Sequence, residues 1–137
     1  MEKNDHKQTQ KIRLIVGLSI ITIIALIHIF RIGSYLNGKL YLLYYSYVSD
    51  IIIPFGVYFW LCITELHISI FQKWYVKAAV IIGCTTLIEF LQLLGINALG
   101  ITFDPVDILM YASGVGIAVI FDRFLFKRFI PFWDLKN

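Results

Sequence analysis

Four stretches of this chain are so long and so poor in charge that they dictate the kind of solvent the fold needs. Leu14 to Phe30 runs for 17 residues without a charge and is closed by Arg31. Ile51 to Thr64 lies between Asp50 and Glu65, and Ala78 to Leu94 carries Glu89 and Gln92. The fourth stretch opens on Asp104-Pro105, a capping residue followed by proline at the first helical position, and continues through Asp107 to about Phe121. Crossing ~30 Å of hydrocarbon takes about 20 helical residues at ~1.5 Å each. Residues 51–64 are therefore too few and must extend at their ends. The expected helices are about 12–31, 46–67, 75–95 and 105–124, in one membrane domain over residues 1–137. A polar cytoplasmic head over 1–11 and an interfacial tail over 125–137 complete it.

A water-soluble fold of 137 residues could not hide this much apolar surface. Hydrophobic residues make up 59% of the chain and charged residues 15%, against roughly 45–50% and about 25% in soluble domains. The expected fold is thus all-α, an integral membrane four-helix bundle. The first run resembles a secretory signal in its basic start, but it is long for one and no small-residue cleavage site follows, so it is expected to stay as a helix.

The cations set the orientation. With the N-terminus inside, the cytoplasmic side receives Lys3, Lys7, Lys11, Arg13, Lys73, Lys77, Arg123, Lys127, Arg128 and Lys136, and the outer side only Arg31 and Lys39. That asymmetry predicts both ends in the cytoplasm (N-in/C-in) and a multi-pass protein of the cell membrane. It is not the footprint of a nucleic-acid binder, which presents a basic face on a soluble module. Glu65, His67 and Asp122 fall beside these inner cations and are expected to form solvated surface pairs. Phe124, Phe126, Phe129, Phe132 and Trp133 interleave with Lys127 and Arg128 as an interfacial anchor. The 31–49 connection, with five tyrosines and an Asn37-Gly38 turn, fits either a short hairpin or a segment lying in the interface.

In this orientation the acids converge. Asp50 falls at the outer end of helix two, Glu89 and Gln92 in the outer half of helix three, and Asp104 and Asp107 at the outer mouth of helix four. Asp104, Asp107, Tyr111, Gly114 and Ala118 make one helical stripe. Its small residues, with Gly116 in Ala112-x-x-x-Gly116, suit close packing against another helix, helix three for instance. Pro54 cannot donate to the Asp50 carbonyl, so a kink and a free oxygen are expected there, a combination suited to a hard cation. Bland roles are open to each residue. Asp104 is placed to be an N-cap, Asp107 is favoured by the helix dipole, and Asp50 is near enough to the boundary to reach water. Glu89 is the hardest to explain this way, since a charge at the centre of a membrane helix costs about 2.5–3.5 kcal/mol on insertion scales. Pairing with Arg31 or protonation would relieve it. His28, one turn before Arg31, is expected to pack or hydrogen-bond.

The segment Leu87-Ile-Glu-Phe-Leu-Gln-Leu93 and the run from Leu99 to Gly114 resemble a family of small bacterial four-helix membrane proteins defined only as a domain of unknown function. More distantly they are similar to the VanZ-like proteins, whose founding member is linked to teicoplanin resistance. The shared frame is Glu89-x-x-Gln92 with Asp107, Tyr111 and Gly114, and Tyr47-Val-Ser-Asp-Ile is similar to the start of the second helix in the uncharacterised family. VanZ-like proteins usually carry asparagine where this chain has Tyr111. Both groups tend to have an arginine between the Glu-x-x-Gln element and the next aspartate, and Gly95 to Phe103 has none.

The resemblance implies an envelope protein holding a surface or lipid-linked ligand at the outer acids. The acids alone also suit a cation- or proton-coupled transporter subunit, which four helices could form only as a homo-oligomer or with a partner, or a plain scaffold. An enzyme is less expected, because no nucleophile elbow, zinc-helix motif, Cys-His pairing or phosphate loop is present. Cys62 and Cys84 lie inside apolar runs, so no disulfide, metal centre or cofactor is expected from them. Membrane lipid is the one partner the composition itself requires.

Overall fold

The computed structural model describes residues 2–65, 67–96 and 104–133, with side chains from residue 6 onward. The Lys3 side chain, Lys136 and the Leu99–Phe103 part of the family-like segment lie outside the described residues. Four helices are long and apolar enough to cross a membrane, and among the described residues there is no strand. They are α1 (Glu2–Ile29), α2 (Lys39–Thr64), α3 (Trp74–Leu93) and α4 (Pro105–Phe129). Short 3₁₀ turns at Ile32–Tyr35 and Ser69–Gln72 lie in the first two connections.

The helices start and stop differently from the expected limits. The polar head is helical from Glu2, with no break before the apolar run. Leu40 to Tyr47 is neither a hairpin nor a separate segment. Gly38, with φ +58°, turns the chain, and the helix then runs from Lys39 through the tyrosines into Asp50. Asp104 takes an extended backbone and its carboxylate accepts from the Val106 amide at 2.8 Å, an N-cap that launches α4 from Pro105.

Two stretches are wound wider than an α-helix, Tyr44–Val48 in α2 and Phe121–Phe126 in α4. Such π-type turns insert one residue and rotate everything beyond them. The first lies just before Asp50, and the second contains Asp122. Pro54 itself is buried, and the helix runs unbroken from Ser49 to Thr64 around it. A π-type turn also lies a few residues upstream of the proline.

The centre of the fold is the pair α2 and α4. α1 packs on α2 and α3 packs chiefly on α4, so the two flanking helices leave most of their surface outside. The core is small and aromatic, formed by Tyr58, Phe59, Cys62, Ile81, Val115, Ala118 and Trp133. Phe55, Phe59, Phe121 and Phe126 contact one another ring to ring within it. The outer surface is apolar, with Leu18 and Ile23 of α1, Leu87 and Phe90 of α3, and Leu109 and Ile120 of α4 all exposed.

The small residues of α4 do not face α3 as the stripe suggested. Gly114 sits against the backbone of α2, where an added Cβ would run into the Ile51 carbonyl oxygen. Ala118 is fully buried in the same interface beside Tyr58 and Phe59. Gly116, expected to pack, is exposed, and nothing lies within 4 Å of a Cβ placed there. Its offset of two residues from Gly114 turns it to the other side of the helix. Gly114→Ala should therefore lower stability by about 1–3 kcal/mol, because backbone cannot yield as a side-chain tip can. Gly116→Ala should leave stability unchanged or raise it by up to about 1 kcal/mol. Thermal melting of the two variants in the same detergent checks the contrast.

Candidate functional site

The expected acids do meet at one end of the bundle. Glu89 is 1% exposed, and its Oε1 accepts from the Tyr111 hydroxyl at 3.0 Å. Its Oε2 lies 3.4 Å from the Asp104 amide, so the start of α4 is tied to α3. Neither contact is to Arg31, which is exposed. Asp50 and Asp107 are half-buried and their carboxyls are in hydrogen-bonding contact, with Glu89 and Asp104 close enough for their charges to act on Asp50. Gln92 is half-buried in the next turn of α3 and its carbonyl accepts from the Gly95 amide.

Asp50, Glu89, Asp104 and Asp107 thus gather from three helices, and among the described residues none has a basic side chain in ion-pair contact. Nor do these residues form a metal cage. Among the described residues no group of three or more His, Cys, Asp or Glu side chains is arranged to hold a metal ion. Nearby, His28 bridges α1 and α2 through the Ile24 carbonyl at 2.9 Å and the Ser49 hydroxyl at 3.0 Å. That is the packing role its position suggested.

The other end of the bundle departs furthest from the sequence reading. Glu65, Lys77 and Asp122 were expected to pair at a solvated surface, yet they are only 2%, 1% and 3% exposed, and Arg13 is 4% exposed. His67, Lys73 and Arg123 do lie at the surface. Lys77 Nζ donates to Glu65 Oε2 at 2.9 Å and to Cys62 Sγ at 3.1 Å, and lies 3.5 Å from Asp122 Oδ2. Arg13 pairs with the other oxygen of Glu65. The Tyr58 hydroxyl donates to Asp122 Oδ2 at 2.8 Å, and the Trp133 indole N–H to Oδ1 at the same distance. Arg13 Nε completes the circuit by donating to the Trp133 carbonyl at 2.7 Å, with its guanidinium 5.0 Å from the indole centroid.

Two cations and two anions, one from each helix, therefore close a neutral network. Trp133 belongs to it rather than to an interfacial anchor, and is 1% exposed. Phe124, Phe129 and Phe132 are exposed as an anchor would be, whereas Phe126 packs against Trp133 at 4.8 Å. The wide turn at Phe121–Phe126 accompanies Asp122 at its buried position, while its neighbour Arg123 faces out. The signal in the sequence was that each apolar run is flanked at the same end of the bundle by an ionisable residue, with balanced signs: Arg13, Glu65, Lys77 and Asp122.

Buried ions lose several kcal/mol of hydration each, and the loss is recovered only while every partner is present. Lys77→Met should therefore lower stability by about 3–5 kcal/mol, since two carboxylates lose their shared cation. Adding Glu65→Gln should restore a large part, because the remaining Arg13 and Asp122 balance each other. A double-mutant cycle on unfolding free energies measures that coupling. Comparison with known proteins adds no relative to these observations, as no family model, curated protein or solved structure matches the chain.

Proposed function

We propose that the chain is a multi-pass protein of the cell membrane, with both ends in the cytoplasm, that offers its outward carboxyl cluster to a cationic group of an envelope or lipid-linked ligand. The distribution of polarity supports insertion. Apolar side chains cover the outside of all four helices, while the charges of Arg13, Glu65, Lys77 and Asp122 are paired inside. Lipid is the solvent that rewards this arrangement. The excess of lysine and arginine at the Arg13 end supports N-in/C-in.

The observation that carries the ligand is the lack of balance at the opposite end. Four carboxyls share one cluster, and among the described residues none has a basic partner in ion-pair contact. An ammonium or amidinium group on a ligand is the complement such a cluster lacks. The resemblance of Glu89-x-x-Gln92, Asp107 and Gly114 to VanZ-like proteins supports an envelope role. A second reading, a proton-coupled transporter subunit, is favoured by the closeness of the Asp50 and Asp107 carboxyls, a pair able to share a proton. It requires assembly with further copies or a partner to complete a pathway.

Reporters fused to either end should score as cytoplasmic in cells, and a reporter placed after Gly38 as external. In nanodiscs, amine-bearing lipid-linked wall precursors should raise the melting temperature of the native protein. A ligand confined to the folded state adds about 2.7 kcal/mol at 100 times its dissociation constant. Glu89→Gln and Asp107→Asn should each abolish that shift. A precursor without effect, together with variants that melt early on their own, would assign the acids to the fold instead. Proton uptake by liposomes holding the protein, lost in Asp107→Asn, would favour transport.

A further inference from the structure

The chain returns after α4 by an unusual route. The helix ends at Phe129, Ile130 is extended, and Phe132 adopts φ +60°, a left-handed conformation that a phenylalanine rarely takes. This tight reversal, tied by the Ile130 amide to the Phe126 carbonyl at 2.9 Å, turns Trp133 back over the bundle. Pro131 and Phe132 are exposed, so the segment touches the fold mainly through Ile130 and Trp133. Trp133 caps both halves of the ion network, with its N–H on Asp122 and its carbonyl on Arg13.

We propose that residues 130–133 form a lid over the ion network, one that opens and closes while the four helices stay folded. The segment has the features of a unit that opens locally. Among the described residues it is short and non-helical, it holds a disfavoured backbone angle, and it is attached through Ile130, the Trp133 ring and the Trp133 carbonyl alone. Nothing else in the network depends on it for charge balance, since Arg13–Glu65 and Lys77 with Glu65 and Asp122 remain paired when the indole leaves. The open state uncovers Asp122 and Arg13 with one donor and one acceptor position vacated. Cys62 shares the buried cluster with Trp133, its sulfur held by Lys77 beside Asp122, so it is the thiol that the open state would expose.

Cys62 reports the motion. It is buried, whereas Cys84 is exposed, so a Cys84→Ala background leaves Cys62 as the single thiol. The intact protein in detergent is reacted with N-ethylmaleimide, and the labelling rate is compared with the global unfolding rate of the same sample. The lid predicts labelling faster than global unfolding. It also predicts at least a tenfold rise in Trp133→Ala, with helical circular dichroism retained. Trp133→Phe keeps the ring but loses the N–H, and should fall between the two. Labelling that follows global unfolding in every variant would overturn the lid. So would unfolding of both Trp133→Ala and Trp133→Phe, which would make the indole an inseparable part of the core.

Discussion

The architecture depends on the neutrality of one buried circuit. Arg13, Glu65, Lys77 and Asp122 come one from each helix, and each ion is satisfied only by residues from other elements. Hydrophobic packing alone would leave the four helices free to slide or rotate, since an apolar exterior and an apolar interior differ little. Ion pairs with hydrogen bonds at 2.7–2.9 Å allow no such freedom. The local geometry of the neighbouring segments accords with that demand. Phe121–Phe126 is wound wide where Asp122 faces inward, and the chain beyond Phe129 reverses to present the Trp133 indole.

The two polar centres of the molecule are built on opposite principles. About 12 residues of α3 separate Lys77 from Glu89, roughly 18 Å at the helical rise. At the first, charge is cancelled and sealed. At the second, carboxyls accumulate, and only Glu89 is deeply buried, held by Tyr111 and the start of α4. Between them, Gly114 brings the α4 backbone against Ile51 beside Asp50. A close approach of α4 to α2 thus lies beside the acid cluster, where the two helices carry Asp107 and Asp50.

The all-helical fold and its four long apolar helices were legible because charge-free runs of this length have few alternatives. The Asp104-Pro105 cap was legible for the same reason, since few other contexts suit that pair. The meeting of the acids followed from helix direction alone. What sequence could not show was rotation. A wide turn at Tyr44–Val48 or Phe121–Phe126 shifts every later side chain around its helix, and no residue pattern marks it. Gly114 faces α2 because α2 is the main neighbour of α4, and Gly116, two residues further on, falls outside. Asp122 and Lys77 sat where boundary residues usually reach water, so their adjacency to cations in sequence suggested a solvated pair. Their true partners, Tyr58, Cys62, Glu65 and Trp133, are 11 to 64 positions away, and only tertiary packing brings them together.

The circuit also sets an order on biosynthesis. Arg13 emerges first, Glu65 and Lys77 follow, and Asp122 and Trp133 come last. Until the fourth helix has been made, the first three carry two cations against one anion at the same depth. A chain at that stage carries a positive charge whose counter-ion has yet to be made. Arrival of Asp122 removes the excess, so electrical neutrality becomes the mark of a finished molecule.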